Sequence, residues 1–216
     1  LASNRGNSGG GSGSIARMRA QEPQLGPPFP KALTPGGVVT LFAEQAQAQA
    51  SSAAVITCEG DTVFTYRALA DAAGALADRL TNAGLSQGDI VALLLQPSLC
   101  FVVATMGTMQ AHVAWLPLDT TSPRVHMFQL FSDAGARLAL AAEGYDVSST
   151  FAETPVWLLS AKGSLPTQSI PCPLPSHAAA HALDLAAVFY TSGSTGKSKA
   201  VMYGVETVCH GAASFA

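Results

Sequence analysis

IVALLLQPSLCFVVATMGTMQAHVAWLPL, residues 90–118, is the most apolar stretch of the chain. A membrane-spanning helix needs about 20 nearly unbroken apolar residues, but Gln96-Pro97-Ser98 interrupts this run early and Gln110 and His112 interrupt it again. The stretch instead predicts a buried strand, a helix and a second buried strand: Ile90 to Leu95, Pro97 to Gln110 and Val113 to Leu118. Strands that are apolar on both faces are typical of a parallel sheet covered by helices.

The composition of the whole chain excludes several classes of protein. Its 216 residues contain 11 Lys and Arg against 14 Asp and Glu, a net charge of −3, so the clustered positive charge of a nucleic-acid-binding protein is missing. Hydrophobic residues make up 48%, which is too apolar for a disordered chain. The four cysteines (Cys58, Cys100, Cys172 and Cys209) are scattered. This spacing predicts no zinc site and no disulfide framework, and it favours a reducing, cytoplasmic location.

The amino-terminal part differs in composition from the rest. Residues 1–14 are rich in Gly and Ser, and residues 21–37 are rich in proline. Residues 1–37 are therefore predicted to be a flexible linker, and residues 38–216 to be the folded part. Because the first residue is Leu1 and not Met, we expect a fragment of a longer protein.

Helix and strand patterns alternate through residues 38–216. Helices are predicted at 38–50, from an N-cap at Thr65 to an end at Gly84, and from an N-cap at Ser122, with Pro123 in the first turn, to Gly135. A hairpin is predicted at 53–66 with its turn at 59–61, and further strands at 137–142, 156–160 and 185–190. The loop at 161–183 contains His177 and His181, which lack further ligands at metal-binding spacing and are expected to be solvated. The alternation predicts an α/β fold, a parallel sheet flanked by helices.

The last predicted strand is followed at once by TSGSTGKSK, residues 191–199. Glycines let backbone N–H groups turn toward an anion, hydroxyls add donors, and lysine adds charge, so this segment predicts a phosphate-binding loop. Its candidate ligands are Thr191, Ser192, Gly193, Ser194, Thr195, Gly196 and Lys199. A solvated linker would not directly follow a buried strand. A Walker A loop, the other phosphate-binding alternative, needs glycine where this chain has Thr191.

With its preceding tyrosine, the loop sequence YTSGSTGKSK (190–199) resembles the AMP-binding signature of the adenylate-forming superfamily. FTYRALADAAGALADRL (64–80) and WLPLDTTSP (115–123) are similar to two further motifs of amino-acid adenylation domains, in the same order. The resemblance covers residues 38–204 and is strongest to the N-terminal part of a nonribosomal peptide synthetase adenylation domain. An acyl-CoA synthetase is the alternative within the superfamily.

Several positions depart from the family pattern. The usual Pro-Lys-Gly after the loop is Ser198-Lys199-Ala200, and the His-Arg pair that follows is Val205-Glu206. A glycine of the pattern is His112, and an arginine is His126. These departures leave a non-catalytic relic of the fold as a further alternative.

The resemblance implies carboxylate activation: a carboxylate, here an amino acid, reacts with ATP and Mg²⁺ to give an acyl adenylate and pyrophosphate. The adenylate then acylates the thiol of a phosphopantetheine carrier protein or of CoA. In this chain the loop hydroxyls, Gly193, Gly196 and Lys199 would hold the phosphates. The family's substrate pocket, magnesium ligand and catalytic lysine come later in the sequence, so the resemblance predicts no catalytic or metal-binding residue here. The fragment alone is expected to be inactive.

Overall fold

The computed structural model describes residues 37–56, 63–146, 151, 154–160, 174, 184–191 and 198–213. The predicted linker, apart from Gly37, lies outside these residues, and so do the hairpin turn at 59–61 and both histidines of the 161–183 loop. The predictions made for those segments therefore stay predictions.

The elements follow the predicted order. The helices are α1 (Gly37–Ala48), α2 (Tyr66–Asn82), α3 (Leu99–Gln110), α4 (Arg124–Ala134) and α5 (Val205–Ala213). The strands are β1 (Ala53–Ile56), β2 (Val63–Thr65), β3 (Ile90–Leu94), β4 (Ala114–Pro117), β5 (Leu138–Ala142), β6 (Val156–Leu159), β7 (Leu185–Thr191) and β8 (Lys199–Gly204). Strands β1 and β2 form an antiparallel hairpin beside the main sheet.

The main sheet has six strands in the order β6-β5-β3-β4-β7-β8. Strands β6, β5, β3, β4 and β7 are parallel to their neighbours, whereas β8 at the edge runs antiparallel to β7. The prediction of an α/β fold with a helix-flanked parallel sheet is confirmed. The antiparallel edge strand is an addition that the sequence pattern did not predict.

The apolar stretch at 90–118 forms strand, helix and strand, as predicted. Strand β3 is buried at each of its five positions, because helices cover both faces of the sheet there. Its side chains alternate between two clusters: Val91 and Leu93 contact the α2 and α3 side, and Ile90 and Leu94 contact the α4 side. Within the described residues, every helix is too short or too polar to cross a bilayer.

Helix α2 begins and ends as its sequence indicates. The Thr65 hydroxyl accepts a hydrogen bond from Ala68 N (3.2 Å) and caps the helix. At the other end Gly84 has a φ of +84°, and Leu85 N donates to Leu80 O (3.2 Å). This is a Schellman ending, which glycine favours because it has no Cβ. The predicted apolar stripe is buried: Leu69, Ala73, Leu76 and Leu80.

Helix α3 ends in the same way, but without glycine. Val113 N donates to Thr108 O (2.9 Å), and His112 takes the left-handed position with a φ of 56°. Among the described residues, His112 is the one non-glycine residue with a positive φ. The family pattern has glycine here, and the backbone shows the physical reason for that glycine.

The start of helix α4 differs from its prediction. The expectation that Ser122 caps the helix is wrong, because the helix begins at Arg124 and Pro123 precedes it without a side-chain capping bond. The Ser122 hydroxyl instead lies 3.4 Å from Asp119 Oδ2. Asp119 organises the turn before the helix, so Ser122 belongs to that turn.

Candidate phosphate-binding site

The predicted phosphate loop connects the antiparallel strands β7 and β8. Two of its seven predicted ligands lie in the described residues, Thr191 at the end of β7 and Lys199 at the start of β8. The other five, at positions 192–196, lie outside them. Thr191 and Lys199 are direct partners across the ladder, so the structure brings the two ends of the loop together.

The two described ligands differ in what they offer an anion. Lys199 is exposed, and its ammonium supplies positive charge at the loop. Thr191 is also exposed, but its hydroxyl lies 3.4 Å from the Lys199 carbonyl oxygen, to which it donates. A phosphate oxygen would compete with that carbonyl for the Thr191 hydroxyl proton. Of these two predicted ligands, Lys199 therefore offers an anion more than Thr191 does.

The strand that follows the loop separates this site from a Walker A loop. A Walker A loop joins a strand to a helix, whose N-terminus faces the phosphates. Here the loop leads into β8, and helix α5 starts only at Val205. The strand–loop–strand arrangement does not fit the Walker alternative.

The loop begins at the carboxyl edge of the parallel strands. Connections leave this edge in opposite directions, because α3 after β3 packs on one face of the sheet and α4 after β4 packs on the other. Open α/β sheets bind their ligands at such a switch point, outside the carboxyl ends of the strands. Thr191 ends the strand that pairs with β4, so the residue at which the loop begins lies beside this switch point.

The loops after β3 and β4 place further polar side chains at the same edge. The Gln96 amide donates to the Thr120 hydroxyl. Asp119 accepts hydrogen bonds from Thr121 N (2.9 Å) and from the Thr121 hydroxyl (2.7 Å). The backbone and hydroxyl donors of Thr121 lower the pKa of Asp119. The first hydrogen bond joins the turns after β3 and β4, and the other two lie within the turn after β4.

Strand β7 is held on both faces immediately before the loop. On the α4 face the Tyr190 hydroxyl donates to Asp133 Oδ2 at 2.6 Å. On the other face the Phe189 ring contacts Trp115 edge to face, with 5.1 Å between centroids. Burial, followed by the hydrogen bond and the negative charge of Asp133, raises the pKa of Tyr190 far above its ordinary value. The tyrosine therefore keeps its proton and acts as the donor.

Asp133 is a residue that sequence reasoning missed. It lies 57 positions from Tyr190, and its neighbours on α4 give no sign that it contacts the strand before the loop. The polar pattern of the helix indicates only a solvated position.

For metal binding, the described parts of the chain contain no group of three or more His, Cys, Asp or Glu side chains that could hold an ion.

Comparisons with known proteins agree with this arrangement. Residues 42–216 match the AMP-binding enzyme family. Bacitracin synthase 3 of Bacillus licheniformis is 35% identical over 162 residues, which cover 75% of this chain and 2% of that protein. Surfactin synthase subunit 2 of Bacillus subtilis (strain 168) is 34% identical over 174 residues, covering 80% of this chain and 5% of that protein. The chain thus spans only a small part of the length of these relatives.

A solved structure gives the same result for the fold. The N-terminal subdomain of Klebsiella oxytoca NpsA, in complex with 3-hydroxyanthranilyl-AMSN, aligns with a TM-score of 0.61 and 28% identity. The alignment covers 80% of this chain and 42% of that subdomain. The match over residues 42–216 and the shared fold lead to one conclusion: the chain belongs to the AMP-binding enzyme family.

Proposed function

We propose that this chain supplies the phosphate-holding part of an AMP-forming ligase that activates a carboxylic acid, specifically an amino acid. The product would be an aminoacyl adenylate, with pyrophosphate released, and the acceptor would be the thiol of a phosphopantetheine carrier protein. The observation that carries the proposal is the placement of the exposed Lys199 at the base of a Gly/Ser/Thr loop beside the switch point of an AMP-binding enzyme fold.

The residues of the loop would act by position and charge. Lys199 would stabilise negative charge on the β- and γ-phosphates of ATP as the pyrophosphate leaves, and preorganised charges of this kind act without reorganisation during the reaction. Hydroxyls of Ser192, Ser194 and Thr195 would add hydrogen-bond donors, and Gly193 and Gly196 would allow close approach of the backbone. Phosphate binding would not require Lys197.

Magnesium and the reacting carboxylate need residues that the loop does not provide. Mg²⁺ binds through carboxylate oxygens and substrate phosphates, and the loop sequence at 191–199 contains no carboxylate. We therefore propose that the Mg²⁺ ligand lies outside the loop, in the later part of the sequence where the family resemblance implies it, and we expect the 216-residue chain alone to be inactive. A cytoplasmic location is part of the same proposal.

The test is amino-acid-dependent exchange of labelled pyrophosphate into ATP. It uses a chimera in which residues 38–216 replace the matching segment of the surfactin synthase relative. The chimera should catalyse exchange, and the 216-residue chain alone should not. Lys199→Ala should slow exchange by about 10- to 100-fold, the effect of losing one hydrogen bond that involves a charged group. Thr195→Ala should also slow exchange, and Lys197→Ala should matter less and serves as the matched lysine control.

The alternatives give different results in the same assay. A chimera that exchanges only with simple carboxylic acids and then transfers to CoA is an acyl-CoA synthetase. A chimera that folds, shown by an unchanged cooperative unfolding transition, but supports no exchange is a relic. Release of ADP without any carboxylate would contradict the adenylation proposal altogether.

A further inference from the structure

We propose that Asp133, through its hydrogen bond to the Tyr190 hydroxyl, is a positioning residue for the phosphate loop. The inference deepens the proposed function and depends on it, because it assumes that an anion binds between the ends of β7 and β8. Asp133 itself would touch no phosphate. It would fix the direction of β7 at Thr191, the residue at which the loop begins.

The hydrogen bond between Tyr190 and Asp133 lies near the end of strand β7, the part of a strand that moves most easily. Tyr190 is the residue immediately before Thr191, and the Thr191–Lys199 pair is the last pair of the ladder on this side. The 2.6 Å separation between Tyr190 Oη and Asp133 Oδ2 is typical of a hydroxyl bound to a carboxylate, which is among the stronger hydrogen bonds in proteins. Both side chains are partly buried, so water competes for the bond less than at an exposed site.

Helix α4 gives Asp133 a rigid base. Its neighbour Ala134 and the preceding Phe131 are buried in the cluster beneath the helix. Tyr190 packs at the edge of the same cluster. The bond therefore joins the strand before the loop to a fixed part of the core, on the face opposite to the Phe189–Trp115 contact.

The positions of the Asp133 and Lys199 charges indicate that Asp133 affects anion binding by fixing the position of β7 and not by its own charge. Side chains alternate along a strand, and Ala200 is buried in the α4-side cluster together with Tyr190. Lys199, next to Ala200, therefore projects from the other face. The sheet separates the Asp133 carboxylate from the Lys199 ammonium, so Asp133 leaves that cation available to an anion. Its own negative charge would repel a phosphate.

This repulsion gives the test a distinctive sign. If Asp133 affected anion binding only by its charge, Asp133→Ala would strengthen binding, because a negative charge is removed. If Asp133 positions β7, the same substitution weakens binding. Tyr190→Phe removes the hydrogen bond without changing the charge, and Asp133→Asn removes the charge but keeps an oxygen that accepts the bond.

The experiment titrates inorganic pyrophosphate into the ¹⁵N-labelled 216-residue chain and follows the backbone amides of Thr191 and Lys199 by NMR. Wild type should show saturating shifts of these amides. Asp133→Ala and Tyr190→Phe should each weaken binding by about three- to tenfold, the effect of losing one hydrogen bond. Asp133→Asn should restore binding to within about twofold of wild type, as a conservative rescue. The controls are Tyr203→Phe, on the other face of the hairpin, and Asp71→Asn, exposed on α2.

Each outcome decides a separate question. Weakening in Asp133→Ala and Tyr190→Phe but not in the two controls, with the amide shifts of β3 and β5 unchanged, supports the inference. Equal or tighter binding in both variants overturns the inference and leaves the proposed function intact. If Asp133→Ala does not fold, Tyr190→Phe, which removes one oxygen atom, decides the question. Absence of shifts in wild type contradicts the proposed phosphate loop itself, and the inference with it.

Discussion

Replacing Leu76 by alanine tests the contact between α2 and α3, on which one face of the sheet depends. Leu76 is only 2% exposed and lies against Gly107 of α3. A Cβ added at Gly107 would lie 2.8 Å from Leu76 Cδ2, 2.9 Å from Cγ and 3.0 Å from Cβ. The two helices can therefore approach this closely only while position 107 has no side chain.

The expected magnitudes follow from this geometry. Leu76→Ala removes three carbon atoms, worth about 2.4 kcal/mol of transfer free energy at about 0.8 kcal/mol each, and the remaining cavity adds to that. We expect the free energy of unfolding to fall by about 3 to 4 kcal/mol. Gly107→Ala alone gains about 1 kcal/mol in helix propensity but overpacks the contact at about 1 to 3 kcal/mol, so it should be neutral to destabilising.

The double variant provides the sharpest test. In the Leu76→Ala background two of the three close atoms, Cδ2 and Cγ, are gone, so the new methyl group at Gly107 fills part of the cavity. The close contact with the Cβ of residue 76 remains, so Gly107→Ala should be less destabilising in this background than in the wild type, with a coupling energy of about 1 to 2 kcal/mol between the two sites. Val125→Ala, at a side chain 68% exposed, is the control and should change stability by less than about 0.5 kcal/mol.

Urea denaturation of the wild type and the four variants, followed by far-ultraviolet circular dichroism, measures each free energy. A loss below about 0.5 kcal/mol for Leu76→Ala would mean that the side chain faces solvent. If Gly107→Ala has the same effect in both backgrounds, the two residues do not touch, and the described packing of α2 on α3 is wrong.

Three further predictions use the same urea assay. His112→Gly should raise the free energy of unfolding by about 0.5 to 1 kcal/mol, because glycine accepts the left-handed backbone; His112→Ala should give no gain, and a loss in the glycine variant would contradict the argument. Thr65→Ala should lower the free energy of unfolding by about 1 kcal/mol through loss of the N-cap, and Thr65→Ser should keep the wild-type value. Equal stability of the wild type and both variants would refute the cap. The raised pKa of Tyr190 means that above about pH 10 the unfolded chain releases a proton that the folded protein keeps. Stability should therefore fall as the pH rises there, less steeply in Tyr190→Phe, and equal slopes would contradict the burial of that hydroxyl.

Most of the fold could be predicted because its signals are local. The Thr65 cap, the stripe from Leu69 to Leu80 and the turn at Gly84 each lie within a few residues of the structure that they determine. The antiparallel direction of β8 was also within reach. A parallel neighbour needs a crossover of a dozen or more residues, and residues 192–198 are too few.

The parts that could not be predicted depend on long-range contacts. Asp133 meets Tyr190 across 57 positions, and no pattern along α4 indicates that meeting. The left-handed backbone at His112 is an intermediate case. A histidine gives no signal for such a conformation, but the glycine of the family pattern at that position does. The residue types of the loop predict phosphate binding, which stays a prediction, whereas nothing in the sequence indicates how the strand before the loop is supported.

The position of the β7–β8 hairpin also has a consequence for folding kinetics. Its two strands are close in sequence and pair locally, but β7 joins the sheet only through β4, across residues 118–184. Closing so long a connection delays docking relative to local pairing. Before docking, strands β3 to β6 can already be paired while the ends of β7 and β8 have no switch point beside them. If the proposed function holds, the loop becomes able to bind ATP only when the β7–β8 hairpin docks, and a chain unfolded at this edge of the sheet would not offer the loop to ATP.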